Sequence, residues 1–216
     1  MKIRSFIIAY ALVLVVILFA DRRPSSTTRD RYSHVVDLTD GDTAPPLHTP
    51  ARESHTHIIA PGALIPGTWA AGQIPAERLV APLVVMDLNP VLQNQSISLD
   101  DISAWESHNG MIPQGAVLAI RRKGTLDNSA QPFPIARDAA QFLIEARYTI
   151  GFAVETPVDF ASDRILARQL ALRGAYVVEG AAHLTTLPAT GSLIIVAPEK
   201  NKKPGQAPVR ILAMVR

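Results

Sequence analysis

Short apolar runs bounded by polar or turn residues recur along the chain, and each such run predicts a buried strand. The predicted strands are residues 34–38, 83–88, 116–121, 149–154, 176–178, 193–196 and 209–215. Apolar residues at helical spacing predict a helix over residues 136–147 and a second over residues 163–173, with Ser162 as its N-cap and Gly174 after its last turn. Because strands outnumber helices, the pattern indicates a sheet-rich α/β domain with helices packed on the sheet.

The N-terminus shows a different pattern, a continuous apolar segment behind basic residues. Lys2 and Arg4 precede residues 6–20, which are almost entirely apolar. This arrangement is typical of an export signal, and the segment is shorter than the ~20 residues that span a bilayer comfortably. Ala20 suits the last position before a cleavage site, whereas Leu18 does not suit the position two residues earlier. A cleaved signal peptide and an uncleaved membrane anchor therefore both stay open.

These features divide the chain into three predicted segments. Residues 1–20 are the signal peptide or membrane anchor, which as an anchor would form a hydrophobic helix ahead of the domain. Residues 21–31, rich in Ser, Thr and Arg, are a polar linker, and residues 32–216 are the folded domain. We therefore expect a periplasmic or other extracytoplasmic protein, either secreted or held at a membrane by its N-terminal segment.

The composition removes several classes of function. The chain of 216 residues has no cysteine, so it forms neither a disulfide nor a Cys-based zinc site. Hydrophobic residues make up 48% of the chain, which is ample for a core. The net charge is only +2 and the basic residues are scattered, so no nucleic-acid partner is expected.

Several blocks of the sequence resemble one known family in both order and spacing. The blocks are residues 36–39, 66–69, 73–75, 82–87, 139–147, 150–151, 155–157, 176–179, 187–188 and 207–210. They resemble the cyclase family, whose best-known members are bacterial kynurenine formamidases, which are metal-dependent hydrolases. The resemblance implies a swivelling β/β/α domain with a mixed sheet and packed helices, and assembly as a homodimer.

The metal motif of that family is only partly present. The family pattern is His-x-Gly-Thr-His-x-Asp-x-Pro-x-His, in which histidines and an aspartate hold a divalent ion that activates water. At the matching positions this chain has Glu53 for the first His, His55 for the Gly, His57 for the second His, Ile59 for the Asp and Ala63 for the last His.

The second part of the family site lies further along the chain. There the family has a Glu twelve residues after a His, and this chain has Glu179 and Ala167 at those positions. Of the six site positions, only His57 and Glu179 therefore keep the family residue. By resemblance, His57 and Glu179 are the candidate catalytic residues, with His57 as the base and Glu179 orienting it.

Three interpretations of this eroded motif stay open. Glu53, His57 and Glu179 together would form a weak divalent site for Zn or Mn. Alternatively, Glu53, His55 and His57 alternate along the chain, so in a strand they would share one face and form a shifted site. The third interpretation is a residual polar patch without metal. Trp69 is a candidate for binding a small molecule by stacking.

These features support three functional hypotheses. The first, which we favour, is an exported non-catalytic family member that binds a small molecule or a protein partner. The alternative is an active metal-dependent amide hydrolase of the arylformamidase type, acting on N-formylkynurenine or on a cyclic amide or ester through a rebuilt site. The third is a structural dimer with an empty cleft. The expected cofactor is accordingly none, or a weakly bound divalent metal.

Overall fold

A computed structural model describes the chain over residues 32–40, 56–88, 96–122, 130–200 and 205–216.

The chain divides into two compact units, Met1–Ser33 and His34–Arg216, and the second unit contains the sheet and its helices. The predicted signal or anchor over residues 1–20, with its hydrophobic helix, and the linker over residues 21–31 lie outside the described residues. None of the helices in the described ranges has the length and hydrophobicity needed to span a bilayer.

The second unit contains eight strands and four α-helices among its described residues. The strands are β1 His34–Asp37, β2 His57–Ile59, β3 Val80–Leu88, β4 Val117–Arg122, β5 Gly151–Val154, β6 Tyr176–Glu179, β7 Ser192–Pro198 and β8 Gln206–Val215. The α-helices are α1 Pro61–Leu64, α2 Leu99–Asn109, α3 Arg137–Ala146 and α4 Arg164–Leu172. Short 3-10 helices cover Ala71–Gln73, Ala76–Arg78 and Leu184–Thr186.

The strands form one sheet that closes into a barrel of seven strands. β3, β4, β5 and β6 are parallel neighbours, because α2, α3 and α4 carry the chain back between them. β2 runs antiparallel to β6, and β7 runs antiparallel to β3. β8 closes the barrel by pairing with both β2 and β7, and its C-terminal half also pairs with β1.

This topology places the ends of the four parallel strands at one edge of the barrel, which we call the carboxyl-end rim. Glu179 is the last residue of β6, and it lies at this rim. β2 is antiparallel to β6, so its first residue, His57, lies at the same rim. The carboxyl ends of parallel strands are where α/β folds usually place their ligand sites.

Two apolar clusters hold the barrel and the helices together. In β5, Ala153 belongs to the cluster that fills the barrel interior, whereas its neighbour Phe152 belongs to the cluster between the barrel and the helices. Successive strand residues point to opposite faces, so all four residues of this strand are buried. This explains why its sequence is a continuous apolar run rather than an alternating one.

The structure confirms the sheet-rich α/β domain and corrects its details. β3 begins three positions before the predicted strand, because Val80, Ala81 and Pro82 pair with β7. The N-cap of α4 is Asp163, whose side chain accepts a hydrogen bond from the Leu166 N–H at 3.0 Å, so the prediction of Ser162 was wrong. A carboxylate at this position also suits the positive end of the helix.

The sequence patterns did not predict α2. Its side chains are mostly exposed, and Ile102 is its one buried residue. The helix begins with a capping box, in which the Ser98 hydroxyl accepts from the Asp101 N–H and the Asp101 carboxylate accepts from the Ser98 N–H. This capping box is the signal in the sequence that could have located it.

Candidate functional site

The ladder between β2 and β6 brings together the two residues that keep the family identity. His57 is paired directly with Glu179 in the antiparallel register. Their side chains meet at 2.6 Å between His57 Nε2 and Glu179 Oε2. The Glu179 side chain is 2% exposed and that of His57 is 21% exposed, so the carboxylate is buried beneath an imidazole that solvent can reach.

Both oxygens of the Glu179 carboxylate have a partner. Oε2 accepts from His57, and Oε1 accepts from the Val158 N–H at 2.7 Å. A buried carboxylate needs such partners, and bonds to a charged acceptor are stronger than neutral ones. Because Nε2 donates to Glu179, Nδ1 is the ring nitrogen of His57 that is left to take a proton or to bind a ligand.

The start of β2 is fixed by the threonine before His57. Thr56 is fully buried, and its hydroxyl donates to the Gly180 carbonyl at 2.6 Å while accepting from the Asp40 N–H at 2.7 Å. These bonds join β2 to the turn after β6 and to the segment after β1. Thr56 therefore helps to hold the His57 backbone beside Glu179.

Three of the four site positions at which this chain departs from the family are apolar, and these three lie among the described residues. Ile59 follows His57 by two residues on the same face of β2, and it is 4% exposed within the cluster between barrel and helices. Ala63 is an exposed residue of α1, and Ala167 is buried in α4. A hydrocarbon side chain at each position offers no atom that binds a metal.

Glu53 and His55 lie outside the described residues, so both interpretations that use Glu53 stay predictions. In the described part of the chain, no group of three His, Cys, Asp or Glu side chains is arranged to hold a metal ion. Zinc sites need at least three protein ligands, and His57 and Glu179 supply two that are already bonded to each other. By themselves, the described residues therefore supply fewer ligands than the metal implied by the family needs.

Trp69 is placed at the other end of β6. Its ring lies against Gly174, where an added Cβ would be 2.8 Å from Trp69 Cζ3. The Arg78 guanidinium stands 5.6 Å from the ring centroid, and it also donates to the Gly174 carbonyl at 3.1 Å. Gly174 precedes β6 whereas Glu179 ends it, so the Trp69 ring packs at the end of β6 opposite the His57–Glu179 pair.

A group of charged residues at the carboxyl-end rim was not predicted from the sequence. Arg121 donates to both oxygens of Asp87, at 2.5 and 3.1 Å, and also to the Leu184 carbonyl at 3.2 Å. Glu155 follows β5, and burial raises its pKa although its carboxylate accepts the Arg122 N–H at 2.6 Å. Each of these residues ends or follows an apolar run, which is the sequence signal that could have found them.

Comparisons with known proteins agree with this architecture. The profile of the family described as "Putative cyclase" matches residues 28–158. Isatin hydrolase A from Labrenzia aggregata, in a structure bound to benzyl benzoate, is 28% identical, with a TM-score of 0.65 over 84% of this chain and 93% of that chain. Isatin hydrolase A from Ralstonia solanacearum is 25% identical, with a TM-score of 0.68 over 85% of this chain and 92% of that chain.

A further solved structure, described as a potential metal-dependent hydrolase with cyclase activity, is 22% identical, with a TM-score of 0.64 over 85% of this chain and 98% of that chain. At this identity the likeness concerns the fold alone. A comparison with curated protein sequences finds no match. The family profile spans more than half of the chain, and the fold is that of metal-dependent hydrolases, as the resemblance implied. The chain belongs to the cyclase family.

Proposed function

We propose that this protein is an exported member of the cyclase family that has lost metal-dependent hydrolysis and binds a small molecule or a protein partner. The observation that carries this proposal is the bonding of the two retained site residues to each other. His57 Nε2 and Glu179 Oε2 are 2.6 Å apart, and Glu179 Oε1 is taken by the Val158 N–H. His57 Nδ1 is therefore the one atom of the pair that stays open to a ligand, and a single nitrogen does not make a set of metal ligands.

The chemistry of the substituted positions supports the same proposal. Amide hydrolysis at neutral pH needs an activated water and an acid that protonates the leaving nitrogen, and such acid–base help is worth about 10²–10⁴-fold. Ala63 has no proton to give, and the apolar side chain of Ile59 opposes a charged hydroxide nearby. Among the described residues, only His57 is then placed to accept a proton at this site, through Nδ1.

One alternative has a specific observation in its favour. A histidine oriented by a buried carboxylate is an arrangement that general bases use, and the metal-binding histidines of enzymes often donate to a carboxylate in the same way. His57 and Glu179 have this geometry. With Glu53 from the preceding segment, they would form the rebuilt site of a hydrolase. Its substrate would be a formamide, such as N-formylkynurenine, or a cyclic amide, such as isatin, after which the two structural relatives described above are named.

The experiment that separates the two functions measures metal and turnover on the same preparation. The full-length chain is purified without chelator, its metal content is determined by mass spectrometry, and hydrolysis of N-formylkynurenine and of isatin is followed with added Zn²⁺ or Mn²⁺. The proposal expects much less than one metal per chain and turnover at background. One tightly bound metal per chain, or turnover stimulated by metal, would establish the hydrolase instead.

Three variants make the turnover measurement specific to the site. His57→Ala and Glu179→Gln remove the candidate base and its carboxylate partner. His108→Ala is the matched control, because His108 is an exposed histidine of α2 that bonds only to its own helix, with Nδ1 2.7 Å from the Ala104 carbonyl. Turnover that the first two variants abolish and the control retains would assign the activity to the pair.

Export is a separate part of the proposal, and it rests on Lys2, Arg4 and the apolar run over residues 6–20. We expect the protein in the periplasm or in the membrane fraction, and full-length protein free in the cytosol would refute this. N-terminal sequencing of the mature protein then distinguishes a cleaved signal from an anchor.

A further inference from the structure

A cleft of about 400 Å³ opens at the carboxyl-end rim beside the ends of β3 and β4. Leu88 and Arg122, the last residues of those strands, form one side of it. Residues 131–137, the start of α4 and the two serines Ser96 and Ser162 form the rest of the wall. Its volume is at the lower end of the range that small-molecule sites occupy.

This cleft is separate from the His57–Glu179 pair and shares no lining residue with it. The extended segment over residues 157–159 connects them, because it bonds to Gln131 in the lining of the cleft and to Glu179. On one edge of this segment, the Gln131 N–H donates to the Pro157 carbonyl, and the Gln131 carbonyl accepts from the Asp159 N–H. On the other edge, the Val158 N–H points away from Gln131 and donates to Glu179.

The apolar wall of the cleft is fixed by packing. The Phe133 ring is 7% exposed and lies edge-to-face with Phe152, with ring centroids 5.3 Å apart, and 5.7 Å from Phe160. The backbone beside Phe133 is also held in place. The Ile97 N–H donates to the Pro134 carbonyl, and the Ile97 carbonyl accepts from the Ala136 N–H. A cavity with such walls needs little ordering when a ligand enters it.

The charges that line the cleft leave one cation without an ion pair. Asp163 is held by Arg137, whose Nε and Nη2 donate to the carboxylate at 3.1 and 3.0 Å, so these two charges offset each other. Arg122 also lines the cleft, and its backbone N–H donates to Glu155. Within the described ranges, the Arg122 guanidinium makes no hydrogen bond or ion pair, although the charge of Glu155 is near enough to act on it.

We propose that this cleft is a second ligand site that binds a small carboxylate with a flat apolar or aromatic body. Arg122 binds the carboxylate, because its planar guanidinium matches the two oxygens of that group. The body of the ligand lies along Phe133, Leu88 and Leu166, whose side chains exclude water from it. The site does not depend on the function proposed for His57 and Glu179, because it uses neither residue.

Calorimetric titration of the full-length protein with benzoate tests this assignment, and benzamide is the neutral ligand of the same shape. We expect benzoate to bind, and benzamide to bind about 10- to 100-fold more weakly. This ratio corresponds to the binding free energy that hydrogen bonds to a charged group contribute. All titrations use the same detergent buffer, so that partitioning into detergent affects both ligands. The measurement requires no metal and no turnover, so its result is independent of the hydrolysis assay.

The variants identify the group that selects the carboxylate. Arg122→Gln should remove the preference for benzoate, and Arg122→Lys should retain part of it. Arg210→Gln is the matched control, because Arg210 is an exposed arginine on β8 that pairs with Asp37 at 3.0 Å. An unfolding midpoint equal to that of the wild type would show that Arg122→Gln is folded. If this variant does not fold, the comparison of benzoate with benzamide on the wild-type protein still tests the proposal.

Three results would overturn the proposal. The first is no heat of binding up to about 10 mM benzoate, the concentration at which even a weak specific site is occupied. The second is equal affinity for benzoate and benzamide. The third is an equal loss of benzoate binding in Arg122→Gln and in the Arg210→Gln control, which would indicate a general effect of net charge.

Discussion

Replacing His57 by alanine should destabilise the protein more than replacing Glu179 by glutamine. In the wild type, the Glu179 side chain is 2% exposed, and its two oxygens are bonded to His57 and to the Val158 N–H. Without the imidazole, one oxygen of a buried carboxylate loses its donor. Glutamine at position 179 has the same shape but no charge, so its burial costs less.

The expected magnitudes follow from this asymmetry. Leaving a buried acceptor without its donor costs about 1–3 kcal/mol in unfolding free energy, and more when the acceptor is a carboxylate. The His57 side chain is 21% exposed, so water can reach part of the vacated space, and we expect His57→Ala to cost about 3 kcal/mol. Glu179→Gln weakens two charge-assisted bonds but relieves the burial of a charge, and we expect about 1 kcal/mol.

Equilibrium unfolding in urea measures the loss of unfolding free energy in both variants. The midpoints are comparable when the dependence of the unfolding free energy on urea concentration is the same for all proteins. His108→Ala, at an exposed site on α2, should change the unfolding free energy by less than about 0.5 kcal/mol. If Glu179→Gln costs as much as His57→Ala, the carboxylate does not carry a buried charge and the reasoning is refuted. The measurement also decides whether lost turnover in His57→Ala reflects chemistry or unfolding.

Three further predictions concern stability and assembly. Gly174→Ala should cost about 2–4 kcal/mol, since φ is +69° and the new Cβ meets the Trp69 ring. Gly115→Ala, with φ +73° and open space around the new Cβ, should cost about 1–2 kcal/mol. Equal losses of unfolding free energy in urea would show that the Trp69 ring does not restrict position 174. Hydrogen bonds from Arg147 hold the pKa of Glu106 below its usual 4.5, so the stability from this pair is present above pH 4.5 and is lost as the pH falls through the folded value. Glu106→Gln should therefore be about 1 kcal/mol less stable than wild type at pH 7 and equally stable in acid, and a difference that persists in acid would contradict this. Light scattering should give twice the 23.3 kDa chain mass if the homodimer implied by the family forms, and a monomer mass would exclude it.

The sequence predicted six of the seven barrel strands, because most of them are buried on both faces, and it did not predict the three-residue strand β2. Such strands are continuous apolar runs, and β4 and β5 lie within one or two residues of the predicted ranges. The start of β3 could not be predicted, since it depends on pairing with β7 far along the chain. Helix α2 carries too few buried side chains to show an apolar stripe, so only its cap identifies it.

The candidate site was found through family resemblance rather than through spacing. His57 and Glu179 are far apart in sequence, and their contact depends on the register of β2 against β6, which no local pattern determines. For the same reason the position of Trp69 could not be predicted, because it depends on how the loop after α1 packs on the end of α4. The cleft at Arg122 was missed because its walls come from separate segments.

The pairing of β8 has a consequence for how the molecule reaches its native state. This strand bonds to β1, β2 and β7, and the Ile211 N–H donates to the hydroxyl of Thr39, a residue 172 positions earlier. Contacts between residues so distant in sequence form slowly, because a long loop must close before they contribute. The barrel cannot close while residues 206–215 are still being synthesised, so the unfinished chain should persist in an open form that a translocation channel can accept.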